Sequence, residues 1–404
     1  MNKGESGTVR HRKVFYIPGY DPFPPRRYRE LFRKEGAVQA NLSDYSLTTT
    51  GCPGDAVSFG WHAELQHDRQ VSSADFSILV WSDLVRDSMK AGIPTTFWRM
   101  LQTIGVYVFS GAIFRLMRLR KGPVIAALYP IAMLLAQLAF ALLCGWVIWT
   151  VFSNLWTGIG AFLGLMTTVW VLRWFRQQDR HFFAYYLMQD YAFSAQLKGG
   201  TPRNLDERID LFAGHIADAL RSDVDEVLVV GHSSGAHLAI SALARLLRAG
   251  LVPANGPVLS LLTLGHVVPM VSFLPQARDL RTDLSDLSLS DQLTWVDVTA
   301  PGDGCCFALC DPVAVTGLQP DGKRWPLVLS AAFTQTLSPE KWKRLRWRFF
   351  RLHFQYLCAF DRPGDYDYFQ ITAGALTLGD RFSGRAPSKS RIERPLSKYT
   401  SVAA

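Results

Sequence analysis

"VLVVGHSSGAHLAISALARLL" occupies Val227–Leu247. Four apolar residues, Val227–Val230, read as a buried strand, and Ala236–Arg248 as a helix ended by Gly250. Between them lies Gly231-His232-Ser233-Ser234-Gly235, a G-x-S-x-G pattern. A strand-to-helix turn this tight has no room for side chains at the flanking positions, hence the two glycines. It lifts the Ser233 hydroxyl out of the sheet edge, near a helix N-terminus. A serine hydroxyl is a poor nucleophile until a neighbouring base takes its proton. The rest of the chain must therefore offer a histidine, oriented by a carboxylate. The competing reading is a plain strand–helix turn of a nucleotide-binding kind, but the junction has no G-x-G-x-x-G.

Outward from this stretch, further strands read at "KVFYIPGYDP" (Lys13–Pro22), "DAVSFGW" (Asp55–Trp61), "FSILVWSD" (Phe76–Asp83), "VLSLLTLG" (Val258–Gly265) and "LTWVDVTAPGDG" (Leu293–Gly304). Helices read at Arg26–Glu35, at Leu205–Leu220 with Asn204 as cap and Glu207 three residues on, and at Trp342–Ala359, which is aromatic and basic. Strands alternating with helices predict an α/β fold, a mostly parallel sheet flanked by helices.

Composition bounds the setting. The chain has 404 residues, 49% of them hydrophobic, and a formal net charge of +9. That balance suits an anionic partner, nucleic acid or a membrane surface. Gly122–Leu172 contains no Asp, Glu, Lys, Arg or His. A crossing needs about 20 apolar helical residues, so the stretch holds two, Pro123–Trp149 and Leu155–Trp174, with a turn through Ser153 and Asn154. Trp146, Trp149, Trp156, Trp170 and Trp174 mark the ends. Arg115, Arg118, Arg120 and Lys121 precede the pair; Arg173, Arg176 and Arg180 follow it. Both flanks are thus expected to be cytoplasmic, with no signal peptide ahead of them. Met100–Phe114 is short for a crossing and reads as an interfacial or core helix. An even number of crossings also returns the chain to the side where its sheet began. The lipid bilayer is therefore the expected partner, and nucleic acid is not.

With Ser233 in its strand–turn–helix setting, the sequence resembles the α/β-hydrolase family in its lipase- and esterase-like members. The resemblance covers Lys13–Asp83 and about Leu205–Phe382 and leaves the hairpin unexplained. It implies a triad in the chain order Ser, Asp or Glu, His. Of nine histidines only His353 lies beyond the late strands, so it is the implied general base. Asp303, in the turn after "VDVTAP", is the implied orienting acid. Asp297, inside the strand, is second, and Asp311, before a proline, is third. The oxyanion hole should use the Ser234 N–H and a second N–H from "IPGYDP", where Gly19 permits close approach and Tyr20 or Asp21 carries the donor. The family often has His-Gly there, and this chain has Pro-Gly-Tyr-Asp.

The remaining candidates read as structural. His232 should point away from the Ser233 hydroxyl and pack. His237 and His266 are expected in the core or lining a pocket, and His62 and His67 are poorly spaced for a metal. Cys305, Cys306 and Cys310 lack zinc-like spacing and read as reduced, buried thiols. No metal or organic cofactor is implied. The expected organisation is a flexible 1–12, a catalytic domain from 13–95 and 176–380, an insertion at 96–175 with the interfacial helix and the transmembrane hairpin, and a basic disordered tail at 381–404. The expected function is a membrane-anchored serine hydrolase acting on a lipophilic ester or thioester, and its basic flanks fit a bacterial inner membrane. The alternatives are an acyltransferase using the same triad and a non-catalytic membrane-associated interaction protein.

Overall fold

The computed structural model describes residues 8–51, 58–153, 156–318 and 320–403. Among these the strands are β1 (His11–Ile17), β2 (Ser46–Gly51), β3 (Ser58–His67), β4 (Gln70–Leu79), β5 (Glu226–His232), β6 (Val258–Leu264), β7 (Leu293–Thr299) and β8 (Leu327–Ser330). They form one eight-stranded sheet in the order β2-β3-β4-β1-β5-β6-β7-β8. From β4 to β8 every neighbouring pair is parallel, while β3 runs antiparallel to both β2 and β4. The fold is α/β with a mostly parallel sheet.

Alternate residues of the central strands feed two cores, as a period of two requires. Val227, Val229, Leu259, Leu261 and Trp295 pack on one face beneath Arg203–Ala219, Gly235–Arg248 and Arg278–Leu289. Leu228, Val230, Leu262, Val296 and Val298 face the other side, with Phe32, Phe369 and Tyr356. All seven residues of β5 are buried, which is why it reads as an apolar run rather than an alternation.

Two helices, Lys121–Ser153 (33 residues) and Thr157–Gln177 (21 residues), are long and apolar enough to cross a membrane. They touch along small residues: a Cβ on Gly164 would lie 2.6 Å from the Gly145 carbonyl oxygen, and one on Gly160 2.8 Å from Ser153 N. Small residues let membrane helices approach closely. Ahead of them, Ile93–Phe109 and Ala112–Leu119 meet at a 73° bend. The base of the long helix is fixed to the sheet domain. A Cβ on Gly122 would lie 3.1 Å from the Gly304 carbonyl oxygen, and Arg120 Nε donates to the Ala308 carbonyl at 2.8 Å.

Several expectations are corrected. Of the tail expected to be disordered at 381–404, residues 381–403 lie along the body: Ile392 N–H donates to the Leu309 carbonyl at 2.7 Å, and Arg281 Nε to the Ser401 carbonyl at 2.6 Å. Strand β1 already includes His11 and Arg12, and Val9 is buried, so the expected loose start at 1–12 is too long; residues 1–7 lie outside the described set. The helix expected from Leu205 begins at Arg203 behind Pro202. Asn204 Oδ1 accepts only the adjacent Leu205 N–H, so it is not the cap. Trp342–Ala359 is not one helix. It breaks into Pro339–Leu345, Phe349–His353 and a 3-10 turn at Gln355–Leu357. The break lets Leu345, Leu352 and Tyr356 reach the core while Trp347 and Phe349 stay outside. Asp55–Val57 of one expected strand, and Asn154 and Leu155 at the hairpin turn, lie outside the described residues.

Candidate active site

Strands β1 and β5 are neighbours, but the chain leaves β1 toward one edge of the sheet and β5 toward the other. Such a switch point opens a crevice at the carboxyl ends of the strands, where α/β sheets bind ligands. Gly19 follows β1 at this switch point, and Ser233 follows β5.

The local sterics account for each glycine. A Cβ on Gly231 would lie 2.7 Å from Ala236 Cα, and one on Gly235 would strike the Ile17 and Pro18 carbonyl oxygens. A Cβ on Gly19 would lie 2.9 Å from Ser233 Cβ and 3.3 Å from Ser233 Oγ, so the β1 loop rests on the serine itself. Ser233 has φ +57, a left-handed conformation that non-glycine residues rarely hold. Such a residue costs of order 1–3 kcal/mol and persists where the surroundings over-determine it. Its N–H donates to the Leu264 carbonyl at 2.9 Å, and its carbonyl accepts from Ala236 N–H at 3.2 Å.

His353 ends the short helix Phe349–His353, and its Nδ1 meets Asp303 Oδ2 at 2.7 Å. Asp303 also accepts from Cys305 N–H at 2.9 Å and from the Tyr356 hydroxyl at 3.1 Å. Burial pushes this carboxyl up, but His353 and these bonds outweigh it and hold it below the usual carboxylate range. His232 Nε2–H donates to the His353 carbonyl at 3.0 Å, with the two rings 4.8 Å apart. Burial lowers His232 to about 3, with nearby His353 adding to the effect, so it stays neutral and serves as a brace. His353 Nε2 is buried without a hydrogen-bond partner among the described residues. Its ring lies at the end of β6: a Cβ on Gly265 would sit 3.1 Å from His353 Cε1, next to the Leu264 carbonyl that holds Ser233. Ser233 Oγ and His353 Nε2 do not hydrogen-bond to one another in this state. Catalytic hydrogen bonds are often open without substrate and tighten when it binds.

Of the three acids considered, Asp303 is the one that meets His353. Asp297 accepts from Thr263 Oγ1 at 2.6 Å and lies 3.6 Å from His266. Asp311 caps Pro312–Val315, accepting from Val313 N–H at 2.9 Å and Ala314 N–H at 3.0 Å, and pairs with Lys323. Of the oxyanion donors considered, the Ser234 and Gly19 N–H groups have no partner among the described residues. The Tyr20 N–H donates to Ser234 Oγ at 2.8 Å and would have to release that bond to serve an oxyanion. Asp303, Cys305 and His353 bring ligand atoms within 4.8 Å of one another. Burial raises the Cys305 thiol well above its ordinary value, and Asp303 adds to this, so it stays protonated; a metal would also compete with the Asp303–His353 bond.

One residue escapes the sequence reading. Asp190 sits on the helix Ala184–Ala195, which follows the hairpin. Tyr186, one turn before it, donates its hydroxyl to the Tyr20 carbonyl, and the Phe193 ring lies 5.7 Å from that of Tyr20. Spacings of four and three put Asp190 on this same face. Its carboxyl is half-buried, has no hydrogen-bond partner among the described residues, and feels the charge of His353. Burial pushes it up to about 7, against the downward pull of His353. The signal in the sequence was a lone acid in the aromatic run "FFAYYLMQDYAF" (Phe182–Phe193).

No family model, no curated protein and no solved structure matches this chain.

Proposed function

We propose that the chain is a serine hydrolase, held on the cytoplasmic face of a bacterial inner membrane by its helical hairpin. It cleaves a lipophilic ester or thioester through an acyl-serine intermediate. The observation that carries this reading is Ser233 at φ +57 between two sterically required glycines, sharing the strand ends with an Asp303–His353 pair at 2.7 Å. The chain order Ser, Asp, His is that of the α/β-hydrolase family which the sequence resembles.

In this mechanism Ser233 Oγ attacks the substrate carbonyl carbon while His353 Nε2 accepts its proton. Asp303 holds the Nδ1–H and stabilises the imidazolium that forms. The Ser234 N–H donates to the developing oxyanion. His353 then protonates the leaving group, and water, activated by the same nitrogen, releases the acid. The hairpin favours a lipophilic substrate, and the exposed Trp347 and Phe349 lie on the chain leading into His353.

The test is fluorophosphonate labelling of membranes bearing the full chain, its Ser233→Ala variant and its His353→Ala variant. The expected result is labelling of the wild type alone, with all three proteins equally abundant in the membrane. A folded wild type that takes no label would overturn the proposal and leave a membrane-associated interaction protein.

A further inference from the structure

A cavity of about 930 Å³ lies apart from the triad. Its lining includes Arg99, Gly105, Val106 and Phe109 on the helix Ile93–Phe109, and Ala195 and Lys198 across from it. That volume is at the upper end of the roughly 300–1,000 Å³ typical of small-molecule sites.

Three observations define its occupant. First, the charge is one-sided. Among the described residues no Asp or Glu lines the cavity. Among the described residues Arg99 donates to neutral acceptors alone, the Ser88 carbonyl at 2.8 Å and Gln189 Oε1 at 2.7 Å, both through one nitrogen. Lys198 is exposed and makes no ion pair among the described residues. Second, the groove opens beside an apolar surface. Phe109 is 91% exposed, and Trp98 and Leu101 project from the same helix. That helix leads, through Ala112–Leu119, to the first long apolar helix. Third, the rim is strained. Leu197 and Lys198 hold φ of 48° and 55°, and Gly199 follows at 93°. Two consecutive non-glycine residues in the left-handed region cost of order 1–3 kcal/mol each, and such strain clusters at ligand sites.

We infer that this groove binds one anionic phospholipid drawn from the bilayer, with its phosphate read by Arg99 and Lys198 and an acyl chain lying along Gly105, Val106 and Phe109. A phospholipid supplies both halves of what the lining offers, a negative charge and a chain for the apolar wall. The inference does not rest on the hydrolase reading, since none of Ser233, Asp303 and His353 lines the groove.

The test uses the full chain, purified in detergent and exchanged into phosphatidylcholine nanodiscs with or without phosphatidylglycerol. Native mass spectrometry counts retained lipid, and thermal unfolding measures stabilisation. The wild type should retain one phosphatidylglycerol per chain and melt higher with it than with phosphatidylcholine alone. Lys198→Glu should weaken retention about thirtyfold, because an attraction of about 1 kcal/mol per basic residue at an anionic surface is turned by the reversal into a repulsion of similar size. Lys389→Glu makes the same charge change at an exposed site outside the groove and should leave retention unchanged. Gly105→Trp should abolish retention by filling the groove, because a Cβ there meets only the Phe109 ring, at 3.7 Å. Equal loss in the Lys198 and Lys389 variants, or full retention by a folded Gly105→Trp, would overturn the inference. Stabilisation by inorganic phosphate alone, matching that by the lipid, would also overturn it in favour of a simple anion site.

Discussion

Strands β1 and β5 lie side by side, yet their two ends are built on opposite principles. At the amino end, Arg12 and Glu226 form an ion pair at 2.5 Å with both side chains fully buried. Arg12 also donates to the Gly374 and Leu376 carbonyls, and Glu226 accepts from Ser260 Oγ at 2.6 Å and Leu378 N–H at 2.8 Å. Each charge is matched by hydrogen bonds, which burial demands. At the carboxyl end of the same strands, His353 Nε2 and the Asp190 carboxyl have no partner among the described residues, and Ser233 carries backbone strain. Burial at the first end is balanced within the chain. At the second it is left unmatched among the described residues.

This contrast can be broken by substitution. The largest effect belongs to Ser233→Gly. Glycine relieves the φ of +57, so the variant should gain about 1 kcal/mol of stability while ester hydrolysis falls about 10⁶-fold in kcat. Parallel unfolding and p-nitrophenyl ester assays read both, and a variant that is both inactive and less stable contradicts the strain argument. Asp303→Asn should keep the fold and lower kcat about 10⁴-fold, because the amide no longer fixes the productive His353 tautomer.

At the matched end the sign reverses. Arg12→Met or Glu226→Leu alone strands a buried charge and should cost about 3–5 kcal/mol, whereas the double variant should recover much of that loss. Denaturant unfolding of the four proteins closes the cycle, and hydrolysis per folded molecule should stay constant throughout. The smallest effect is that of Asp190→Asn. The native carboxyl keeps its proton up to about pH 7, while an unfolded aspartate releases it near about pH 4. Between those values the native chain holds the extra proton, so stability falls as pH rises. Melting temperatures of the wild type and Asp190→Asn should therefore agree near pH 4 and diverge toward pH 7, with the variant the more stable. Parallel curves across that range would remove Asp190 from the unmatched set.

Much of this architecture was legible because it rests on local rules. The glycines around Ser233 announce the turn, the apolar run of β5 announces a buried strand, and the uncharged stretch announces two long apolar helices. His353 and Asp303 followed from chain order and turn position. What stayed hidden depends on tertiary context. Strand β2, "SLTTTG", is a polar edge strand with no buried alternation, and β8 has four residues behind a proline. Asp190 reaches the site only because a helix beyond the hairpin folds back over Tyr20, which no spacing in the sequence encodes. The basic tail reads as disordered by composition, and its docking depends on backbone bonds to Leu309 and Val315 that composition does not record.

The place of the hairpin in the chain has a consequence for synthesis. Strands β1–β4 leave the ribosome before the apolar helices, and β5–β8 after them. One long edge of β1 is therefore unpaired until β5 arrives, and β5 carries the Ser233 turn. The two ends of the helix pair must come together before that edge can close. If the two helices cross a membrane as proposed, a nascent chain in which they fail to insert as a pair could not complete its sheet, and pairing of β1 with β5 would report on insertion.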